Sequence, residues 1–107
     1  MSEEHILDQL YDILHKRKGA EAADSYVASL YAKGVDKIAG KINEEAAETI
    51  VEAVRGDKGK VASESADLLF HLMVLWAHLD VTPDDVFKVL EERFGTSGYV
   101  EKAARSK

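Results

Sequence analysis

The sequence contains no cysteine, which excludes a disulfide framework, a thiolate metal site and a cysteine nucleophile. That absence is compatible with the cytoplasm, the expected location. Positive charge is not in excess. Fourteen lysines and arginines stand against twenty aspartates and glutamates, a net charge of −6, which argues against bulk binding to nucleic acid or to an anionic membrane. Met1-Ser2-Glu3-Glu4 offers no basic region ahead of an apolar stretch, so no secretory leader is expected. The longest apolar run, Leu68 to Leu79, is broken by His71 and His78 and is too short to span a bilayer. No stretch alternates apolar and polar residues over a useful length, and there are no repeats or low-complexity tracts. Proline occurs once, and most of the seven glycines fall between apolar-periodic segments.

What remains reads as helix. At 107 residues the chain is expected to form a single domain, 1–107, hiding roughly 65% of the surface its unfolded form exposes. Ile6, Leu7, Leu10, Ile13 and Leu14 recur at helical spacing behind a cap at Ser2, with Glu3 and Glu4 in the first turn and Lys16-Arg17-Lys18-Gly19 at the end. A second, short helix runs from Asp24 or Ser25 to Lys33 and stops at Gly34. A third spans about Val35 to Arg55 and stops at Gly56. Asp57 to Lys60 reads as a turn, followed by a fourth helix from about Lys60 to Leu79. The fifth starts at Thr82 as cap, with Pro83 in the first helical position and Asp85 in the capping-box position, and ends at Gly95. Residues 96–107 read as a polar, basic and mobile tail. The fold class is therefore all-α, an antiparallel bundle of about five helices.

The two long helices carry the chemistry. At 100° per residue, Ile38, Ile42, Ala46, Ile50, Ala53 and Val54 of the third helix form an apolar arc. Lys37, Lys41, Glu44, Glu45, Glu48, Glu52 and Arg55 form the opposite one, which taken alone is what a solvated face looks like. Within it Lys41 and Glu45 should attract, and Glu48 and Glu52 repel, by a few tenths of a kcal/mol. The fourth helix differs, being apolar nearly all round from Ala66 to Ala77, as suits a core or an oligomer interface. Yet Glu64, Asp67, His71 and His78 fall within a stripe about 60° wide. An uncompensated carboxylate on such a helix costs several kcal/mol.

Glu45-x-x-Glu48 and Glu64-x-x-Asp67 each put two carboxylates on one face, one turn apart. A turn near position 56 would make the two helices antiparallel neighbours, with residues 48 and 64 at comparable heights. Four carboxylates then converge on one groove. Hard divalent cations with oxygen ligands neutralise such a cluster; Mg²⁺ is the expected ion, with Mn²⁺ as a substitute. Mg²⁺ commonly binds beside substrate phosphates, and two or more ions can activate water and hold phosphoryl oxygens.

These residues resemble the MazG-like all-α nucleotide pyrophosphohydrolases, marked by ExxE and then ExxD on the next long helix. The likeness is closer to the phosphoribosyl-ATP pyrophosphatase family of histidine biosynthesis. It runs from Ser25 to about Phe94, through Ser25-Tyr26, Lys33-Gly34, Asp36-Lys37-Ile38-Ala39, Lys41-Ile42-Asn43-Glu44-Glu45-Ala46-Ala47-Glu48 and Glu64-Ser65-Ala66-Asp67-Leu68-Leu69-Phe70-His71. Val27 stands where that family often has Thr. The resemblance implies Mg²⁺-dependent hydrolysis of phosphoribosyl-ATP to phosphoribosyl-AMP and pyrophosphate. It also implies a homodimer or higher oligomer that completes a four-helix core, and a separate cyclohydrolase for the next step. By position it makes Glu45, Glu48, Glu64 and Asp67 metal ligands. Glu44 would orient or deprotonate the attacking water or be a surface acid, placing Glu44, Glu45 and Glu48 in the catalytic set. Lys37 and Lys41 would hold phosphate oxygens, and Ser25, Tyr26 and Lys33 would contact substrate.

Plainer readings stand beside these. His71 is either a core histidine satisfied by hydrogen bonds or a contributor to the site. His71 and His78 lie about 10 Å apart along the axis, too far for one zinc. Phe70, Met73 and Trp76 suit a core or interface, Gly59-Lys60 lacks the upstream glycine of a P-loop, and Lys102, Arg105 and Lys107 suit a solvated tail or a phosphate contact. Two other functions are consistent with the residues: a house-cleaning hydrolase of free nucleoside triphosphates, and a helical interaction module without catalysis.

Overall fold

A computed structural model describes residues 5–94, and among these every regular element is helical. The helices are α1 (Ile6–Lys16), α2 (Tyr26–Lys33), α3 (Val35–Arg55), α4 (Lys58–His78) and α5 (Pro83–Phe94), with short 3-10 turns at Arg17–Gly19 and Ala22–Asp24. The expected α2, α3 and α5 match closely. Ser2, Glu3 and Glu4 lie outside the described residues; α1 begins at Ile6, where His5 caps it by accepting the Leu7 N–H on Nδ1 at 3.0 Å. Gly95 and residues 96–107, with Lys102, Arg105 and Lys107, also lie outside.

Two glycines set the path of α3. Gly34 (φ +88°) is the sole residue between α2 and α3, and its N–H closes α2 on the Leu30 carbonyl at 2.9 Å. Gly56 (φ +79°) ends α3 in the left-handed region that a Cβ disfavours, while the Asp57 N–H reaches back to the Glu52 carbonyl at 3.1 Å. The connection to α4 is shorter than expected. Asp57 caps the new helix by accepting the Lys60 N–H at 3.0 Å, so Lys58, Gly59 and Lys60 form its first turn rather than a loop. At α5, Thr82 and Asp85 exchange hydrogen bonds at 2.9 and 3.1 Å in the expected capping box.

The core lies where α1, α2 and the first turn of α3 meet the second half of α4. Leu14, Leu30, Ile38, Met73, Val74 and Ala77 are essentially sealed from solvent, with Tyr11 and Val27 at the margin. Each large aliphatic chain buried there contributes about 1.5–3 kcal/mol. Phe70 and Trp76 pack against this cluster half-buried. Polar ties hold the periphery. Burial pushes the Tyr31 phenol up to about 12, and its hydroxyl donates to the Leu14 carbonyl at 2.8 Å while the ring stacks on His78. Lys18 donates to the Ala77 carbonyl and to Asp80, both at 3.0 Å.

The apolar arc of α3 is buried only at its start. Ile38 is sealed and Ile42 and Ala46 are half-covered, but Ile50 and Val54 are 63% and 83% exposed. The cause is topological: α2 joins α3 at its beginning through Gly34, and among the described residues the main partner of α3 is α4.

Candidate active site

The pairing of α3 with α4 is the most extensive among the described elements. A connection of only Gly56 and Asp57 makes the two helices antiparallel and fixes their register. Glu48 then meets Glu64, and Glu45 meets both Glu64 and Asp67. One carboxylate oxygen from each of Glu45, Glu64 and Asp67 lies within 4.8 Å of the others, and the same holds for Glu44, Glu45 and Glu48. The acids of two helices thus share one groove.

The electrostatics of this groove are those of an uncompensated site. Glu45 is only 8% exposed, and Oε1 of Glu45 and of Glu64 is buried with no hydrogen-bond partner. Glu48 titrates above the usual carboxylate range, first because its carboxyl hydrogen-bonds to that of Glu64, then through burial and the neighbouring charges of Glu64 and Glu44. Crowded like charges in one groove favour whatever positive charge can offset them. Orphaned, inward-facing oxygens from hard ligands fit Mg²⁺ or Mn²⁺ and suit no soft metal.

Basic and aromatic groups line the same groove. Lys41 donates to Glu44 Oε1 at 2.8 Å, an i,i+3 pair rather than the expected pairing with Glu45, whose carboxylate is turned into the groove. That hydrogen bond and the Lys41 charge hold Glu44 below its ordinary range, with smaller help from Lys37 and His71. The Tyr26 hydroxyl lies 2.9 Å from His71 Nε2, and His71 Nδ1 lies 2.8 Å from the Asp67 carbonyl oxygen.

Comparison with known proteins agrees with this geometry. Residues 7–94 match the phosphoribosyl-ATP pyrophosphohydrolase family. The chain belongs to that family. A phosphoribosyl-ATP pyrophosphatase of Azospirillum brasilense is 56% identical over 100 residues, covering 94% of this chain and 90% of the relative. Proteins of the same name from Parvibaculum lavamentivorans and Geobacter sulfurreducens are 54% and 48% identical, covering 92% and 94% of this chain and 91% and 94% of the relatives.

Against the residues expected from the family pattern, the structure brings together Glu44, Glu45, Glu48, Glu64, Asp67 and Lys41, with Tyr26 joined to them through His71. Lys37 is exposed and acts on Glu44 through its charge. Ser25 spends its hydroxyl as the cap of α2, accepting the Ala28 N–H at 3.2 Å. Lys33 is exposed in the last turn of α2 and makes no hydrogen bond or ion pair with the acids. Sequence reasoning missed Glu52. Its side chain is 13% exposed, Oε1 is buried without a partner, and the other oxygen meets Arg55 at 3.5 Å. Its place one turn beyond Glu48 on the same arc was the available signal.

Proposed function

We propose that the chain hydrolyses phosphoribosyl-ATP to phosphoribosyl-AMP and pyrophosphate in histidine biosynthesis, with Mg²⁺ held by Glu45, Glu48, Glu64 and Asp67. Membership of the family supports the reaction. The observation that carries the metal assignment is the pair of buried, partnerless carboxylate oxygens on Glu45 and Glu64 where α3 faces α4. Bound Mg²⁺ supplies charge neutralisation at phosphoryl oxygens and a more acidic water; Mn²⁺ has the same ligand preference and can replace it.

The chain's own residues do the rest. Lys41 and Lys37 hold phosphate oxygens as point charges, and Ser25, Tyr26 and Lys33, on or just before α2, contact the remainder of the substrate. In the free chain Lys41 is engaged by Glu44. Phosphate oxygens compete for Lys41 and free Glu44 to orient the attacking water and take its proton. The water oxygen bonds to phosphorus, the anhydride P–O bond breaks, and its electron pair leaves on the departing phosphate group. The exposed Ile50, Val51, Val54 and Leu69 on the α3–α4 pair support a homodimer or higher homo-oligomer. No described helix is long and apolar enough to cross a membrane, and a cytoplasmic setting suits the reaction.

The test is pyrophosphate release from phosphoribosyl-ATP with Mg²⁺ and with excess chelator. Release with Mg²⁺ alone is expected. Faster release from a free nucleoside triphosphate would move the reading to house-cleaning hydrolysis. No release from any nucleotide, with no thermal shift on adding Mg²⁺, would leave a helical interaction module. Light scattering at micromolar concentration should show more than a monomer.

A further inference from the structure

His71 is 6% exposed, on an otherwise apolar helix, and both of its ring nitrogens are engaged. The two partners differ in kind. The Asp67 carbonyl oxygen, 2.8 Å from Nδ1, can only accept, so the ring proton sits on Nδ1. In the neutral ring Nε2 then carries a lone pair, and the bond at 2.9 Å is made by the Tyr26 hydroxyl donating into it. The Tyr26 ring stands edge-on to His71 at 86°. Tyr26 itself is 53% exposed at the start of α2, and with its proton directed to His71 its phenol oxygen has only lone pairs to offer a ligand.

We propose that His71 is a positioning residue: it accepts the hydrogen bond of the Tyr26 hydroxyl and leaves the Tyr26 oxygen as an acceptor for a hydroxyl or amino group of the nucleotide, not a donor to its phosphates. An oxygen presenting lone pairs disfavours phosphate, which is also rich in lone pairs, and favours an O–H or N–H donor. The groove is thereby polarised. Phosphates belong at Lys41 and the acids, and the sugar or base belongs at Tyr26. This inference rests on the hydrolase reading, which supplies the nucleotide.

Two measurements test it. Long-range nitrogen–proton NMR of the intact protein should show His71 protonated at Nδ1 and bare at Nε2; the opposite tautomer overturns the proposal whatever the activity. In kinetics, Tyr26→Phe and His71→Leu should each act mainly on KM for phosphoribosyl-ATP, raising it about fivefold, the worth of one neutral hydrogen bond. The double variant should be no worse than either single one, because both remove the same contact. His71→Gln, whose amide oxygen can accept the Tyr26 hydrogen bond, should recover most of the loss and serves if His71→Leu does not fold. Inhibition by pyrophosphate should be equal in wild type and Tyr26→Phe, while inhibition by phosphoribosyl-AMP weakens about fivefold. Multiplicative losses in the double variant, or a weakened pyrophosphate response, would overturn the assignment. A wild-type chain with the expected tautomer but no pyrophosphate release would instead sink the hydrolase reading and the ligand with it.

Discussion

Residues 64–67 and 73–77 of α4 belong to one unbroken helix and meet opposite demands. Met73, Val74 and Ala77 are sealed against α1, α2 and Ile38, with apolar neighbours on every side. Glu64 and Asp67, two turns earlier, face the acids of α3 and include an oxygen that is buried and unpaired. The first stretch lowers the free energy of the fold, and the second raises it unless something positive arrives. A helix that spends stability at one end and gains it at the other suits the cation site proposed above. The site's register comes from the short Gly56–Asp57 link and its rigidity from the core.

The largest effects should separate these stretches cleanly. Under the proposed metal assignment, Glu48→Ala or Asp67→Ala should remove one ligand and several kcal/mol of transition-state stabilisation. Pyrophosphate release should fall at least about a thousandfold. The same variants should melt at or above the wild-type temperature without metal, because each removes one of several crowded negative charges. A variant that loses activity only because it unfolds would erase the distinction; circular dichroism melts decide.

Leu30→Ala should do the reverse. It empties a sealed position in the core cluster and should cost about 2–5 kcal/mol of folding free energy. That is a large share of what a domain of this size possesses. At temperatures where the variant remains folded, turnover should stay within a few-fold of wild type, since Leu30 belongs to the apolar core cluster. Urea denaturation with parallel activity assays checks both halves.

How much of this contrast the sequence displays depends on the reach of each signal. Local signals read correctly: Ser25, Gly34, Gly56 and the Thr82-Pro83-Asp85 set act within a few residues of themselves and marked the ends of α2, α3 and α5. Asp57 is also a local cap, but Gly59 three residues from Gly56 imitates a loop, and the start of α4 was read two residues late. The meeting of Glu45, Glu48, Glu64 and Asp67 was legible because a short link between two long helices leaves one register. What depends on a third element was not legible. Periodicity shows that Ile50 and Val54 share a face with Ile38, and cannot show that α2 ends its cover before reaching them. The choice of Lys41 for Glu44 over Glu45, and the burial of Glu52, likewise follow from how α4 sits on α3.

The smallest expected effect concerns the end of the apolar stretch. Asp80 follows α4 with φ +60° and receives His15 Nε2 and Lys18 Nζ on one oxygen, each at 3.0 Å. Those two hydrogen bonds, with the Lys18 charge next, hold its carboxyl below the ordinary aspartate range. A group with a lowered folded-state pKa stabilises above its unfolded value, about 4, and loses that contribution as pH falls through the folded value. The side chain is 70% exposed, so screening keeps the effect modest. Asp80→Asn keeps a residue that tolerates positive φ and removes the titration. Its melting temperature should therefore lie a few degrees at most below wild type at pH 7. The two curves should converge below pH 3, and the gap at pH 7 should shrink in 1 M salt. A gap that persists unchanged to pH 2.5 would mean the tie between α1 and the end of α4 is not ionic.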